Sequence, residues 1–342
     1  MGFPGHTLSD DSAAFISQAG IGGVIVFGHN YQNPRQVAEL ITQVQACRNG
    51  LPLWVSVDQE GGKVQRFKEG FTKIPEAAVL GAKDSPKLLF ELSEMMAREL
   101  AAVGANLNYA PVADIHSNPA NPVIGRRAFG TSEDMVSKMV SSFVRGHLTQ
   151  GVQPCVKHFP GHGDTQTDSH FALPKVEDSL DSLRAREFKP FVKGFKSGCR
   201  FVMTAHMLNP NLDPEVCATF SRFTLQDVLR KELRYTGIII SDDLEMKAVT
   251  DHFGAEDAPR MALQAGCDLL IYRTENGARH AYTSLLKDLD NGKLAPDVIL
   301  GAAQRLREFK SEVLMPYEAP VLEEIKNLVG TAENQALVEK FL

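Results

Sequence analysis

The sequence predicts an α/β fold, and within it a single (β/α)8 barrel of the TIM type. Three observations carry that expectation. Short apolar runs recur along the 342 residues, with amphipathic segments between them. The runs are nearly continuous rather than alternating, as parallel strands covered on both faces require. Ionisable residues then collect just after the runs, where a parallel barrel builds its active site.

In order, the runs are Gly23 to Phe27, Leu53 to Val57, Asn106 to Ala110, Pro154 to Lys157, Phe201 to Ala205, Ile238 to Ser241 and Asp268 to Tyr272. Helices are predicted over Pro34 to Cys47, Pro86 to Val103, Ser132 to Thr149, Leu183 to Lys196, Thr224 to Leu233, Pro259 to Ala265 and Ala278 to Asp288. Asn33 ahead of Pro34 is a start signal, because its side-chain oxygen can take a free N–H of the first turn. Thr131 or Ser132, ahead of Glu133 and Asp134, is another. Strand–helix alternation implies parallel pairing with helical crossovers. Seven runs are one short of eight. The missing strand is expected at the N-terminus, with Met1 to Phe3 as the stub of a first strand whose earlier residues are absent. A doubly wound open sheet is the alternative, disfavoured because no GxGxxG follows the first run. The polar residues from Met315 onward are expected to form a helical extension. The chain then divides into a barrel, 1–314, and a short extension, 315–342.

Composition narrows the partners. A net charge of -6 argues against nucleic acid or an anionic membrane, which call for a clustered basic face. The five cysteines are odd in number and form no CxxC, so reduced thiols and a cytoplasmic location are expected. No basic head followed by an apolar stretch opens the chain, and no run of about 18 apolar residues occurs. A cytoplasmic protein with no nucleic-acid or membrane partner is the resulting expectation, and a monomer is expected alongside it.

Candidate site residues follow the runs. Asp58, Gln59 and Glu60 end the second, His206 the fifth, Asp242 and Asp243 the sixth, and Arg273 the last. The densest segment is Lys157 to His170, KHFPGHGDTQTDSH. It admits a metal site of His158, His162, Asp164 and His170, although the spacing matches neither HExxH nor a Cys/His knuckle. It equally admits acid/base chemistry, with Asp168 close enough to orient His170 and favour its imidazolium. It also admits a solvated turn held by Asx and threonine hydrogen bonds. Of Asp242 and Asp243, alternation along a strand should send one into the barrel mouth and the other sideways. Either could instead cap a helix from Leu244 onward. Arg126 and Arg127 lie in a loop where they could clamp hydroxyls or a carboxylate, or pair on the surface. Trp54, inside an apolar run, is expected in the core.

The motifs GGVIVF, VDQEGGKVQRF, APVADI, NPVIGRRAFG, KHFPGHGDTQTDSH, MTAHM and IIISDDLEM occur in this order over roughly residues 20 to 275. Together they resemble family 3 glycoside hydrolases, and within them the single-domain bacterial β-N-acetylglucosaminidases of the NagZ type. The resemblance implies a (β/α)8 barrel and a retaining mechanism. It implies that Asp242 is the nucleophile, His170 the acid/base and Asp168 its dyad partner. Asp58, Arg66, Arg127, Lys157 and His158 would hold the hydroxyls of the terminal sugar, with His206 lining the same mouth. No cofactor and no metal are implied. The implied substrate is a carbohydrate with terminal N-acetylglucosamine, such as a muropeptide fragment in which it is linked to anhydro-N-acetylmuramic acid. Lys63 departs from the arginine many relatives carry, at a peripheral position. A β-glucosidase, a glycoside phosphorylase, a metal-dependent barrel hydrolase and a non-catalytic sugar-binding protein are the other readings.

Overall fold

A computed structural model describes residues 1–165 and 173–342. The strands are β1 (Gly23–Val26), β2 (Trp54–Val57), β3 (Gln59–Gly61), β4 (Val64–Gln65), β5 (Leu107–Asn108), β6 (Gln153–Phe159), β7 (Phe201–Thr204), β8 (Ile238–Asp243) and β9 (Leu269–Ile271). Seven of them form one sheet in the order β1-β2-β5-β6-β7-β8-β9, and every pairing in it is parallel. They coincide with the seven apolar runs. The two-stranded antiparallel hairpin of β3 and β4 was not expected.

The sheet curls until both edges reach one segment. The Met1 carbonyl accepts the Ile25 N–H at 2.9 Å beside β1, and the Gly2 N–H donates to the Tyr272 carbonyl at 2.7 Å beside β9. The Met1 ammonium donates to the Gly23 carbonyl at 3.0 Å. Side-chain alternation then sorts the core in two. Ile25, Trp54, Leu107, Cys155, Phe201, Met203, Ile238 and Ile240 share an inner cluster. Val24, Val26, Val55, Val57, Val156, Val202 and Ile239 pack outward with the helices. Parallel strands covered on both faces need this double apolar inventory.

The helix over 34–46 starts where expected, with Asn33 accepting the Gln36 N–H, and the helix over 133–149 starts with Ser132 accepting the Met135 N–H. The helix expected over 183–196 is instead two, Leu180–Ala185 and Phe188–Lys196. Pro190 explains the break: in a continuous helix its missing N–H would leave the Arg186 carbonyl unpaired, and its ring would clash there. Phe223–Glu232 is wound as a wider π-type helix. The helix Pro296–Val313 was not expected, because its apolar stripe is thin: only Ala302, Phe309 and Lys310 are buried. Its Phe309 nonetheless enters the inner cluster against Trp54 and Phe201, with ring centroids 5.5 and 5.6 Å apart.

Residues 315–342 fold back on the helix Pro86–Ala102. The Gly330 N–H and Asn334 Nδ2 each donate to Glu99 Oε1 at 2.8 Å, and Val329, Val338 and Phe341 join the outer core. Among the described residues, no helix is long and apolar enough to cross a membrane.

Candidate active site

A cavity of about 280 Å³ opens at the C-terminal ends of the parallel strands. That is near the small end of the roughly 300–1,000 Å³ usual for ligand pockets. Its walls carry Asp58, Arg66, Arg127, Lys157, His158, His162, Asp242, Asp243 and Arg273.

One wall is an ion network. Lys157, at the end of β6, donates from Nζ to Asp58 Oδ1 at 2.9 Å and sits 2.6 Å from Glu60 Oε1. Arg127 grips Glu60 with both prongs, Nε to Oε2 at 2.8 Å and Nη2 to Oε1 at 2.7 Å. Arg66 Nη2 lies 3.7 Å from the other oxygen of Asp58. Burial alone would favour the neutral form of each group. For Lys157, Asp58 and Glu60 outweigh it and hold the ammonium above the usual lysine range. For Glu60, Arg127 and Lys157 outweigh it and hold the carboxyl well below the usual range. The hairpin β3–β4 makes this possible by turning Glu60 back under the cavity.

A second group stands on Asp114, which is fully buried. It accepts the backbone N–H of His158 at 3.1 Å, His158 Nδ1 at 2.7 Å and the backbone N–H of His162 at 2.7 Å. Burial would raise its carboxyl, but His158 outweighs that and lowers it. The acceptor at Nδ1 places the Nδ1 proton, which leaves His158 Nε2 free for other partners. Lys157 and His158 are sequence neighbours, yet both reach the cavity, because the ladder to β7 shifts between Val156 and Phe159.

The third group ends β8. Asp242 Oδ1 accepts the Asp243 N–H at 2.7 Å. Burial would raise its carboxyl, but His206, His158, that N–H and Lys157 together lower it. Asp243 also lines the cavity, contrary to the one-in, one-sideways expectation. The β8–β9 ladder shifts between Ile240 and Asp243, which breaks the alternation on which that expectation rested. Burial raises the Asp243 carboxyl to about 6.

The structure therefore brings Asp58, Arg66, Arg127, Lys157, His158 and Asp242 to one cavity. It does not bring His206 to the cavity wall. His206 is buried behind β8, with Nδ1 2.8 Å from Thr219 Oγ1 and Nε2 3.0 Å from the Asp243 carbonyl. A carbonyl only accepts, so Nε2 carries the proton and Nδ1 takes the Thr219 hydroxyl. Asp168 and His170 lie outside the described residues. Asp114 was missed as a site residue, and Glu60 was noted after its strand but given no role. Both stand inside motifs that were recognised, VDQEGG and APVADI, and a buried lysine and a buried histidine cluster each demand such a carboxylate.

Among the described residues, no three His, Cys, Asp or Glu side chains gather to hold a metal ion. Of the four residues considered for one, His158 gives Nδ1 to Asp114 and His162 gives Nδ1 to Thr165 Oγ1 at 2.9 Å.

Comparison with known proteins agrees with this geometry. The family model described as the glycosyl hydrolase family 3 N-terminal domain matches residues 1–309. A β-hexosaminidase of Idiomarina loihiensis is 36% identical over 326 residues, 94% of this chain and 94% of that one. A solved family 3 β-N-acetylglucosaminidase from a Paenibacillus species has a TM-score of 0.90 at 34% identity, covering 99% of this chain and 66% of that one. NagZ from Neisseria gonorrhoeae, solved in complex with N-trifluoroacetyl-D-glucosamine, has a TM-score of 0.79 at 29% identity, covering 99% and 96%. With a family model spanning nearly the whole sheet and its site, the chain belongs to glycosyl hydrolase family 3.

Proposed function

We propose that this chain is a retaining exo-β-N-acetylglucosaminidase that releases terminal β-linked N-acetylglucosamine, with peptidoglycan fragments as its source. The observation that carries the reading is Asp242, a half-buried carboxylate whose neighbours favour its ionised form, in the wall of a cavity sized for one sugar and lined by paired charges. The named activities of the Idiomarina, Paenibacillus and Neisseria proteins support the sugar.

In this mechanism Asp242 attacks the anomeric carbon and displaces the aglycone, forming a covalent glycosyl-enzyme. His170, oriented by Asp168, protonates the leaving oxygen. As neutral imidazole it then takes a proton from the water that attacks the anomeric carbon and frees Asp242. Asp58, Lys157, Arg127, Arg66 and His158 present fixed donors and acceptors to the sugar hydroxyls. Their mutual pairing holds those groups in place before substrate arrives, so little reorganisation is needed at the moment of reaction. We extend the proposal to the architecture: Met1 to Phe3 act as the eighth stave of a (β/α)8 barrel, supported by their hydrogen bonds to both edge strands. A cytoplasmic location is part of the same proposal, supported by five free thiols, four of them buried.

The test is a panel of 4-nitrophenyl β-glycosides of N-acetylglucosamine, N-acetylgalactosamine, glucose and xylose, each with and without phosphate. Preferred, phosphate-independent turnover of the N-acetylglucosaminide is expected. Phosphate-dependent release of a sugar 1-phosphate would replace the hydrolase with a phosphorylase, and preference for the glucoside would refute the sugar. Unchanged turnover in a chelator is also expected, and chelator-sensitive activity with bound zinc would overturn the metal-free mechanism.

A further inference from the structure

Two carboxylates end β8 and both line the cavity, yet the chemistry above uses only Asp242. Asp243 has the denser set of contacts. Its N–H donates to Asp242 Oδ1 at 2.7 Å, and its carbonyl accepts His206 Nε2 at 3.0 Å. Its Oδ1 accepts the N–H of Glu245 at 3.1 Å and the N–H of Arg273 at 3.2 Å. Its Oδ2 faces Arg273 Nε at 3.5 Å, and Arg273 Nη2 donates to the Glu245 carbonyl at 3.3 Å. The partners come from three places in the fold: the end of β7, the turn after β8 and the residue train after β9. The β8–β9 ladder shifts between Ile240 and Asp243 and resumes with Asp243 opposite Ile271, where the Leu244 N–H donates to the Ile271 carbonyl at 3.0 Å, so the Asp243 side chain adds a second joint, to the residue after Tyr272, just past the last backbone pairing.

We propose that Asp243 is a positioning residue which fastens the end of β8 to the end of β9, so that Asp242 keeps one orientation toward the cavity. The proposal rests on Asp242 being the attacking group. Charge around Asp243 is mixed. Asp242 and Glu245 repel it, Arg273 attracts it, and the neutral ring of His206 stands behind it. The Met1 amino group, lowered by burial to about 5 despite Asp243, and the Tyr272 hydroxyl face it from the segments beside β1 and β9. Burial is the largest influence and, with Asp242, raises the carboxyl to about 6 against the Glu245 N–H and Arg273. The folded value lies above the ordinary 3.8. The favourable contribution to stability is therefore complete below pH about 4 and is lost as pH rises through about 6. At neutral pH the ionised clamp destabilises the fold while it serves the site, which a merely structural residue would not do.

The experiment uses Asp243→Asn, which keeps the shape and the Oδ1 acceptor and removes the charge. With 4-nitrophenyl β-N-acetylglucosaminide, kcat should fall about tenfold and KM stay within about twofold, the pattern of a lost transition-state contribution. The acid limb of kcat near pH 6 should move down, to where Asp242 itself protonates. Without substrate, the thermal midpoint of the variant relative to wild type should rise between pH 4 and pH 8. Arg273→Gln is the second variant: without the counter-ion the acid limb should move to higher pH. Wild-type kcat and an unmoved acid limb in both variants would overturn the proposal, as would a midpoint difference that ignores pH. Absence of turnover in the wild type would instead refute the glycosidase reading, and the substrate-free arm would still decide whether Asp243 titrates as a strained clamp.

Discussion

At the N-terminal ends of its strands the sheet is closed by hydrocarbon, and at the C-terminal ends by charge. Below, Phe309 fills the space between Trp54 and Phe201, the first residues of β2 and β7, and Arg200 lies 4.2 Å over its ring. Above, Lys157, Glu60, Arg127 and Asp58 are buried or nearly so and neutralise one another. The lower closure gains from burial of apolar area, which needs no partner of matching geometry. The upper closure gains little net stability, because desolvating each ion offsets its attraction to the next. What it provides is a set of fixed charges around Asp242. Stability and chemistry are thus held at opposite ends of the same strands, and substitutions should separate them.

The largest effect is expected at the top and in rate alone. Asp242→Ala should lower kcat about 10⁴-fold, equivalent to about 5.5 kcal/mol of barrier. Its thermal midpoint at pH 7 should change little, since the substitution removes the attraction of the carboxylate to His206, His158 and Lys157 together with the desolvation of its charge. A midpoint drop as large as that of a core variant would blur the division. At the bottom, Phe309→Ala should cost about 3–5 kcal/mol in chemical denaturation, with kcat per folded molecule unchanged. A comparable loss of kcat would mean that the lower core also shapes the site. Glu60→Gln should register at both levels. It leaves Arg127 without its bidentate partner, should cost about 3 kcal/mol of stability, and should raise KM for the aryl glycoside. The smallest effect is expected at Glu187, below Gly161 in the loop after β6. Burial raises its carboxyl to about 7, although Arg186 lies 2.6 Å from Oε1. Its folded value exceeds the ordinary 4.5, so its favourable contribution is present below pH about 4.5 and lost as pH rises through about 7. Glu187→Gln should therefore raise the thermal midpoint by about 2 °C at pH 8 relative to pH 4, as read by calorimetry.

The same division explains what was legible in the sequence. All seven strands of the sheet were legible because burial on both faces forces runs such as GVIVF and WVSV, a signal that survives without any knowledge of partners. The lower plug was not. The helix of Phe309 buries a single large side chain, and no periodic stripe marks it. At the top, Asp58, His158, Asp242 and Arg273 were legible as ionisable groups directly after strand runs, whereas Arg66 came only from the family resemblance and Arg127 was read as a loop residue. Of those that hold them, Asp114 was not singled out and Glu60 was given no partner, because a sequence shows that a charge follows a strand but not which other charge it meets. Asp242 and Asp243 were read through strict alternation, and a ladder shift in the last turn of β8 set that rule aside. His206 carried the right residue type at the right place in the run, yet its ring turned to the Asp243 carbonyl and Thr219.

The central claim is that Asp242 becomes covalently bound to the sugar. It is tested most directly by incubating the protein with a fluorinated N-acetylglucosaminyl fluoride that forms the glycosyl-enzyme quickly and hydrolyses slowly. Peptide mass spectrometry then locates the label. The account predicts one sugar per chain, on the peptide that contains Asp242, absent from Asp242→Ala and still present in Asp243→Asn. A label that persists in Asp242→Ala, or that moves to Asp243, would contradict it.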